Sequence, residues 1–288
     1  MKPIEITKGI YWVGTIDWNI RDFHGYSTYQ GTTYNAYLII DEKITLIDTV
    51  KKEFADELIH NIGRILDPKK IDYVISNHTE MDHSGGLPRV MHRIGEDKPL
   101  FCSKVGYKNL SMHFPQKWNY NPLENGGKLS LGERTLTFLE TRMLHWPDSM
   151  FTYAVEDKIL FSSDAFGQHL AGLERYDDQM GDAIMPHAKK YFANILLLYA
   201  PLVLKLVEKV TDMVQQIATS TEEQSAASEE ISSNVEAVST VAKETATGME
   251  QSNNAIQDLS KLATELKDIV GLFKLKEEEK IAAEAEEA

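Results

Sequence analysis

The chain has 288 residues, 42% of them hydrophobic, which is enough to bury a core in one large domain or two ordinary ones. A formal net charge of -14 argues against non-specific binding to nucleic acid or anionic lipid, and much of that charge lies in the terminal KEEEKIAAEAEEA, read as a solvated acidic tail over 276–288. The single cysteine, Cys102, excludes an internal disulfide, and neither a secretory leader nor a run of eighteen apolar residues is read, so a cytoplasmic protein without a membrane span is expected.

In chain order, short β-rich runs recur: GIYWVGTI from Gly9, TYNAYLII from Thr33, ITLIDTV from Ile44, IDYVISNH from Ile71, LFCS from Leu100, TLTFLETR from Thr135, FTYAVE from Phe151 and KILFSSD from Lys158. Helical candidates lie between some of them, KKEFADELIHNIGRIL from Lys51 and LPRVMHRIG from Leu87. Strands alternating with crossover helices predict an α/β fold of layered sheets covered by helices.

One stretch within this pattern stands apart. From Asn77 the chain reads NHTEMDHSGG, placing His78, Glu80, Asp82 and His83 directly after a strand signal. The i, i+2, i+4 spacing of His78, Glu80 and Asp82 predicts three side chains on one side of an extended turn, with His83 pointing elsewhere. His145, in MLHWPDSM, and Asp164, in ILFSSDAFG, also follow strand signals, where a scaffold presents its chemistry. Three imidazoles with three carboxylates suit iron or manganese, whereas an all-nitrogen first site would lean toward zinc. Trp146 reads as packing, and His60, His92 and His113 as helix-surface residues.

The composition changes near position 200. From Glu208 onward there is no Pro, His, Trp or Tyr. Steps of four and three from Ile217 land on Thr221, Gln224, Ser228, Ile231, Val235, Val238, Ala242, Thr245, Met249, Ser252, Ile256, Leu259, Ala263, Leu266, Val270 and Phe273. That heptad seam extends back to Val203, predicting one helix from near Pro201. Roughly 70 residues at 1.5 Å each would make a rod of about 100 Å. Such a rod cannot bury its seam alone, and polar Thr221, Gln224, Ser228, Thr245 and Ser252 predict weak packing against partner helices.

These residues carry two resemblances. HxExDH at 78–83, His145 and Asp164, with the segments GTTYNAYLIIDEKITLIDTVK, LHWPDSM, LFSSDAFGQH and YFANIL, resemble the diiron, metallo-β-lactamase-like domain of flavodiiron proteins, which reduce oxygen or nitric oxide. The resemblance implies an αββα sandwich over 1–205 holding two iron ions. His78, Glu80 and His145 would bind the first, Asp82 and His83 the second, and Asp164 would bridge them. It also implies that His24 and Tyr191 lie near the iron pair. Glu80 stands where zinc hydrolases of this fold carry a histidine. A further family histidine, about sixty residues beyond the bridging aspartate, has no counterpart near Gln224. His169 and His187 are the candidates to replace it. No flavodoxin-like domain that would hold flavin mononucleotide (FMN) is read in the chain.

Residues 206–275 resemble the cytoplasmic signalling helix of methyl-accepting chemotaxis receptors, in IATSTEEQSAASEEISSNVEAVSTVAKETA. Glu222, Glu223, Glu229 and Glu230 are candidate methylation sites within that likeness. The two resemblances together lead to the expectation of a non-turnover cytoplasmic sensor. Oxygen would be its ligand, or the iron or redox state its signal. Chemoreceptor helices and the chemotaxis kinase and coupling-protein complex would be its partners, and a homodimer or higher oligomer its assembly. The alternatives are an oxygen or nitric oxide reductase fed by a separate electron donor, and a zinc hydrolase.

Overall fold

Alternation along single strands decides which layer each side chain joins. In the strands Tyr37–Ile39, Thr45–Ile47 and Tyr73–Ser76, the buried Leu38, Leu46 and Val74 belong to one apolar cluster, while their neighbours Ile39, Ile47 and Ile75 belong to another. Strands apolar on both faces must be covered on both faces, and here they are.

The computed structural model describes residues 3–286, and the side chains of all these except 213, 216–218, 220–225 and 273–286. Its larger sheet has seven strands in the order Ile4–Thr7, Ile10–Trp12, Tyr37–Ile39, Thr45–Ile47, Tyr73–Ser76, Pro99–Ser103 and Asn119–Leu123. Pairing is antiparallel up to Thr45–Ile47 and parallel beyond it. A second sheet, Lys128–Ser130, Thr135–Glu140, Met150–Ala154 and Ile159–Phe161, is antiparallel throughout.

The first cluster seats the helices Ala55–Gly63, Leu87–Ile94 and Lys104–His113 on the larger sheet, through Leu58, Ile62, Val90, Met91 and Leu110. The second lies between the sheets, where Ile10, Ile39, Ile47 and Ile75 meet Leu136, Phe138, Met150 and Phe161. A third joins Leu139 and Phe151, on the other face of the second sheet, to Tyr191, Leu196 and Leu206 of the C-terminal helical segment. The layers therefore run helix, sheet, sheet, helix, as the sequence predicted.

Contacts divide the chain into two units, Met1–Ile217 and Ala218–Ala288. The helix Ala200–Glu286 begins in the first of these. Leu206 is buried and Val203 and Val210 are half-buried in the third cluster, so the helix is anchored beyond residue 205. In the second unit the described seam residues are exposed, Ile231 and Val235 at 62% each. Thr221, Gln224, Phe273, Glu222, Glu223 and the acidic tail have side chains outside the described residues.

Among the described residues, one helical stretch within Gly181–Asp212 is long and apolar enough to cross a membrane by length and composition, a stretch the sequence reading did not find. Leu196 and Leu206 within it are buried in the third cluster, while Leu198 is 90% exposed.

Candidate metal centre

The site forms at one edge of the sandwich, and Asn77 ties the two sheets together there. Its carbonyl accepts from the Met150 N–H at 2.9 Å and its side-chain oxygen from the Thr152 hydroxyl at 2.7 Å. Its own N–H and Nδ2 donate to the Asp48 carboxylate at 2.7 and 3.1 Å. Burial pushes the Asp48 carboxyl up to about 6. Asp48 has φ 56°, and Ser163 and His24 around the same site also have positive φ, 47° and 52°. Non-glycine residues in that region cost on the order of 1–3 kcal/mol each and gather where a site demands them.

His78 and Glu80 stand on the loop after Asn77, and one turn of helix, Met81–Ser84, carries Asp82 and His83. Because the backbone turns helical at Met81, Asp82 leaves the group that His78 joins, although one of its carboxylate oxygens stays within 4.8 Å of one of Glu80. It groups with His83. His145 comes from the loop after Thr135–Glu140 and Asp164 from the loop after Ile159–Phe161.

Two donor groups share Asp164, His78, Glu80, His145 and Asp164 in one and Asp82, His83 and Asp164 in the other, and His24, Glu80 and Asp82 form a third; within each, the candidate donor atoms lie within 4.8 Å of one another. Asp164 Oδ2 is 3.0 Å from His145 Nε2 and 3.4 Å from His78 Nε2, while its Oδ1 is 2.7 Å from His83 Nε2. Glu80 Oε2 lies 3.1 Å from His145 Nε2 and 3.3 Å from His78 Nε2. Asp82 Oδ2 is 3.4 Å from His83 Nε2, and its Oδ1 is buried without a hydrogen-bond partner.

The electrostatics follow from packing carboxylates and imidazoles together out of water. Burial disfavours the His78 imidazolium, but hydrogen bonds to Asp148 and Glu80 and the charge of Asp164 outweigh it and raise the ring to about 9. His145 likewise rises to about 9 against its burial, through Asp164 and Glu80. Burial raises the Asp82 carboxyl, with Asp164 and Glu80 adding to the effect. Burial also opposes ionisation of Asp164, but the charge of His83 and hydrogen bonds from His145 and His83 hold it well below the usual carboxylate range. Such a cluster is short of positive charge, and its buried, unpartnered Asp82 oxygen fits a cation.

Asp148 orients the first group. Its Oδ2 lies 3.1 Å from His78 Nδ1 and accepts the Thr79 N–H at 2.7 Å, which turns His78 Nε2 toward the donors. The sequence reading missed Asp148, Asp48 and Asn77. An aspartate closing the apolar run ITLID was a usable signal for Asp48, because a charge at the end of a buried strand needs a buried partner.

His24 Nε2 is 3.2 Å from Glu80 Oε1, so this residue does reach the donors. His169 does not join any of the three groups. Its Nε2 lies 3.0 Å from His24 Nδ1 and its Nδ1 2.9 Å from Thr32 Oγ1. Burial and the neighbouring His24 push its ring down to about 4. Tyr191 packs on the His169 ring at 5.2 Å, its hydroxyl buried without a partner and raised well above its ordinary value by burial and by Asp164. His187 lines a separate cavity of about 200 Å³ with Tyr26 and Lys190. Trp146 meets the His78 ring edge-on at 5.2 Å, and His60, His92 and His113 are exposed on helices. A cavity of about 810 Å³ reaches Asp82, His83, Asp164 and Tyr191.

A family model, ODP family beta lactamase, matches residues 32–220. Over 213 residues the chain is 48% identical to a protein named nitric oxide reductase from Moorella thermoacetica, covering 73% of this chain and 53% of that one. It is also 48% identical to a rubredoxin-oxygen oxidoreductase from Megalodesulfovibrio gigas, covering 72% of this chain and 52% of that one. The crystal structure of a flavodiiron protein from Giardia intestinalis matches with a TM-score of 0.71 at 40% identity, covering 74% of this chain and 52% of that one. The chain thus spans about half the length of the relatives it matches. With the layering, the donor cluster and these matches in agreement, the chain belongs to the ODP family of beta lactamases, the metallo-β-lactamase-like diiron domain of flavodiiron proteins.

Proposed function

We propose that this chain is the diiron module of an oxygen or nitric oxide reductase supplied with electrons by a separate donor, a flavoprotein or a rubredoxin-like protein. The observation that carries the reading is Asp164, which presents one oxygen to each of two donor groups in a chain that is 48% identical, over nearly three quarters of its length, to proteins named for these reductions. His78, Glu80 and His145 would hold one iron ion, Asp82 and His83 the other, and Asp164 both. When bound, the iron pair would bind the diatomic molecule and pass to it the electrons delivered by the donor. The chain's own residues do the rest: Asp148 fixes the His78 ring, Asn77 holds the ligand loop to both sheets, and the cavity beside Asp82 and His83 gives the substrate a way in.

This reading corrects the sensor expected from the sequence. Relatives at 48% identity are named as a nitric oxide reductase and a rubredoxin-oxygen oxidoreductase, and they support an enzyme that turns over. Chemoreceptor helices and the chemotaxis kinase find no support among those relatives as partners. Residues 1–205 are assigned to the diiron domain, 206–275 to the helix that resembles a chemoreceptor arm, and 276–288 to the acidic tail. For the helix, the likeness speaks to heptad packing against another copy of this chain rather than to signalling. No FMN site is assigned to the chain.

The test is consumption of oxygen and of nitric oxide by the iron-loaded protein with a reduced rubredoxin-type donor. Sustained turnover on the order of 1–1000 per second is expected, lost in Asp164→Ala. Uptake of one oxygen per site with no turnover would overturn the reading.

A further inference from the structure

The two donor groups are unequal. One has four members and the other three, and Asp164 is counted in both. The donor atoms of a third grouping, His24, Glu80 and Asp82, also lie within 4.8 Å of one another; it shares Glu80 with the richer group and Asp82 with the poorer one.

His24 reaches it from a demanding place. It is the first residue of the two-residue turn between Asp22–Phe23 and Tyr26–Ser27, with φ 52° followed by Gly25 at φ 74°. Turns of that hand favour Asn, Asp or Gly at both central positions, so an imidazole here is strained and is held by other contacts. Phe23 stacks on the His24 ring, centroids 4.1 Å apart and 16° between planes. His169 lies at the far nitrogen, 3.0 Å from His24 Nδ1, with Thr32 Oγ1 2.9 Å behind it. The side chain is 8% exposed, and Nε2 lies 3.2 Å from Glu80 Oε1; Asp82, whose Oδ1 is buried and unpartnered, has a carboxylate oxygen within 4.8 Å of a His24 ring nitrogen.

Resting on the diiron reading, we propose that His24 is a direct ligand of the iron ion held by Asp82 and His83, bound through Nε2, and that His169 and Thr32 orient it. The tautomers agree along the whole chain. A metal on Nε2 leaves the proton of His24 on Nδ1, where it donates to His169 Nε2; His169 then carries its proton on Nδ1 and donates to Thr32 Oγ1. The arrangement parallels Asp148 behind His78, with a neutral acceptor in place of a carboxylate. His24 thereby supplies an imidazole to the group that otherwise has only one.

Ferrous iron titrated under nitrogen into metal-free full-length protein is the test, with wild type, His24→Gly and Thr32→Val compared by bound iron per chain. Wild type takes up two ions. His24→Gly is expected to keep one ion and to weaken the other by at least about tenfold, and free imidazole to restore it, which a merely structural role would not allow. Thr32→Val is expected to weaken the same ion by a smaller factor. Should His24→Gly not fold, the wild type still decides: pulsed electron resonance of the mixed-valent protein with nitrogen-labelled histidine counts four coordinated imidazoles if His24 is a ligand. A count of three, or two equally tight ions in a folded His24→Gly, overturns the proposal and leaves the diiron reading standing. Wild type that fails to bind two ions overturns the diiron reading itself.

Discussion

At the scale of single residues, Asp164 and Asp148 make separable demands. Asp164 is shared between the donor groups, so Asp164→Ala is expected to lose both ions or keep only one, measured as iron per chain after anaerobic loading. Asp148 contacts no donor directly except His78 Nδ1, and Asp148→Asn should leave the fold intact while weakening iron by about 10- to 100-fold. The raised imidazoles add a pH dependence with a definite sign. His78 and His145 sit near 9 without metal, above their unfolded value, so they stabilise the metal-free fold below about 6.5, and that contribution fades as pH rises through about 9. A metal needs the neutral rings. Iron binding at pH 7 should therefore release protons into a weakly buffered solution, and affinity should climb with pH and level off above about 9. Uptake without proton release would contradict these values.

At the scale of elements, what could be read from the sequence depended on how loudly each burial pattern spoke. The runs ITLIDTV, IDYVISNH and FTYAVE announce strands because both of their faces are buried, and the sandwich of sheets with helices outside follows from them. The edge strand Asn119–Leu123 was not read, since Pro122 removes a donor there and only a sheet edge tolerates that. The helix Lys104–His113 was also missed. Gly106 and a weak apolar pattern hide it, although Ser103, which accepts the Gly106 N–H at 2.9 Å, was a legible start signal. The donors His78, Glu80, Asp82, His83, His145 and Asp164 were legible because each follows a strand; their grouping was implied by the family resemblance but not by spacing, because it depends on the helical turn at Met81. Phe138, buried between the sheets, tests the layering: Phe138→Ala should cost about 3–5 kcal/mol in chemical denaturation. A loss well under that would mean the inter-sheet layer is not the core.

At the scale of the molecule, the exposed seam of the second unit asks for another helix. Ile231 and Val235 are each 62% exposed on the heptad stripe, and replacing both with glutamate is expected to shift the protein toward monomer in sedimentation while the spectrum of the iron site stays unchanged. Wild type that sediments as a monomer at every concentration would show the seam to be idle.

The distribution of the donors has a last consequence. They come from 78–83, 145 and 164, on loops rooted in both sheets, so the unfolded chain offers no comparable site and bound iron should raise the thermal midpoint, by about 4 kcal/mol of stability at a thousandfold excess over the dissociation constant. Chelation removes that increment first from the loops that carry the ligands. Those loops, around 141–149 and 162–170, are then the expected cleavage points for a protease added with and without chelator. In a growing cell the same chemistry would make the protein's lifetime follow its iron supply, with scarcity clearing the empty form by degradation and needing no dedicated regulator.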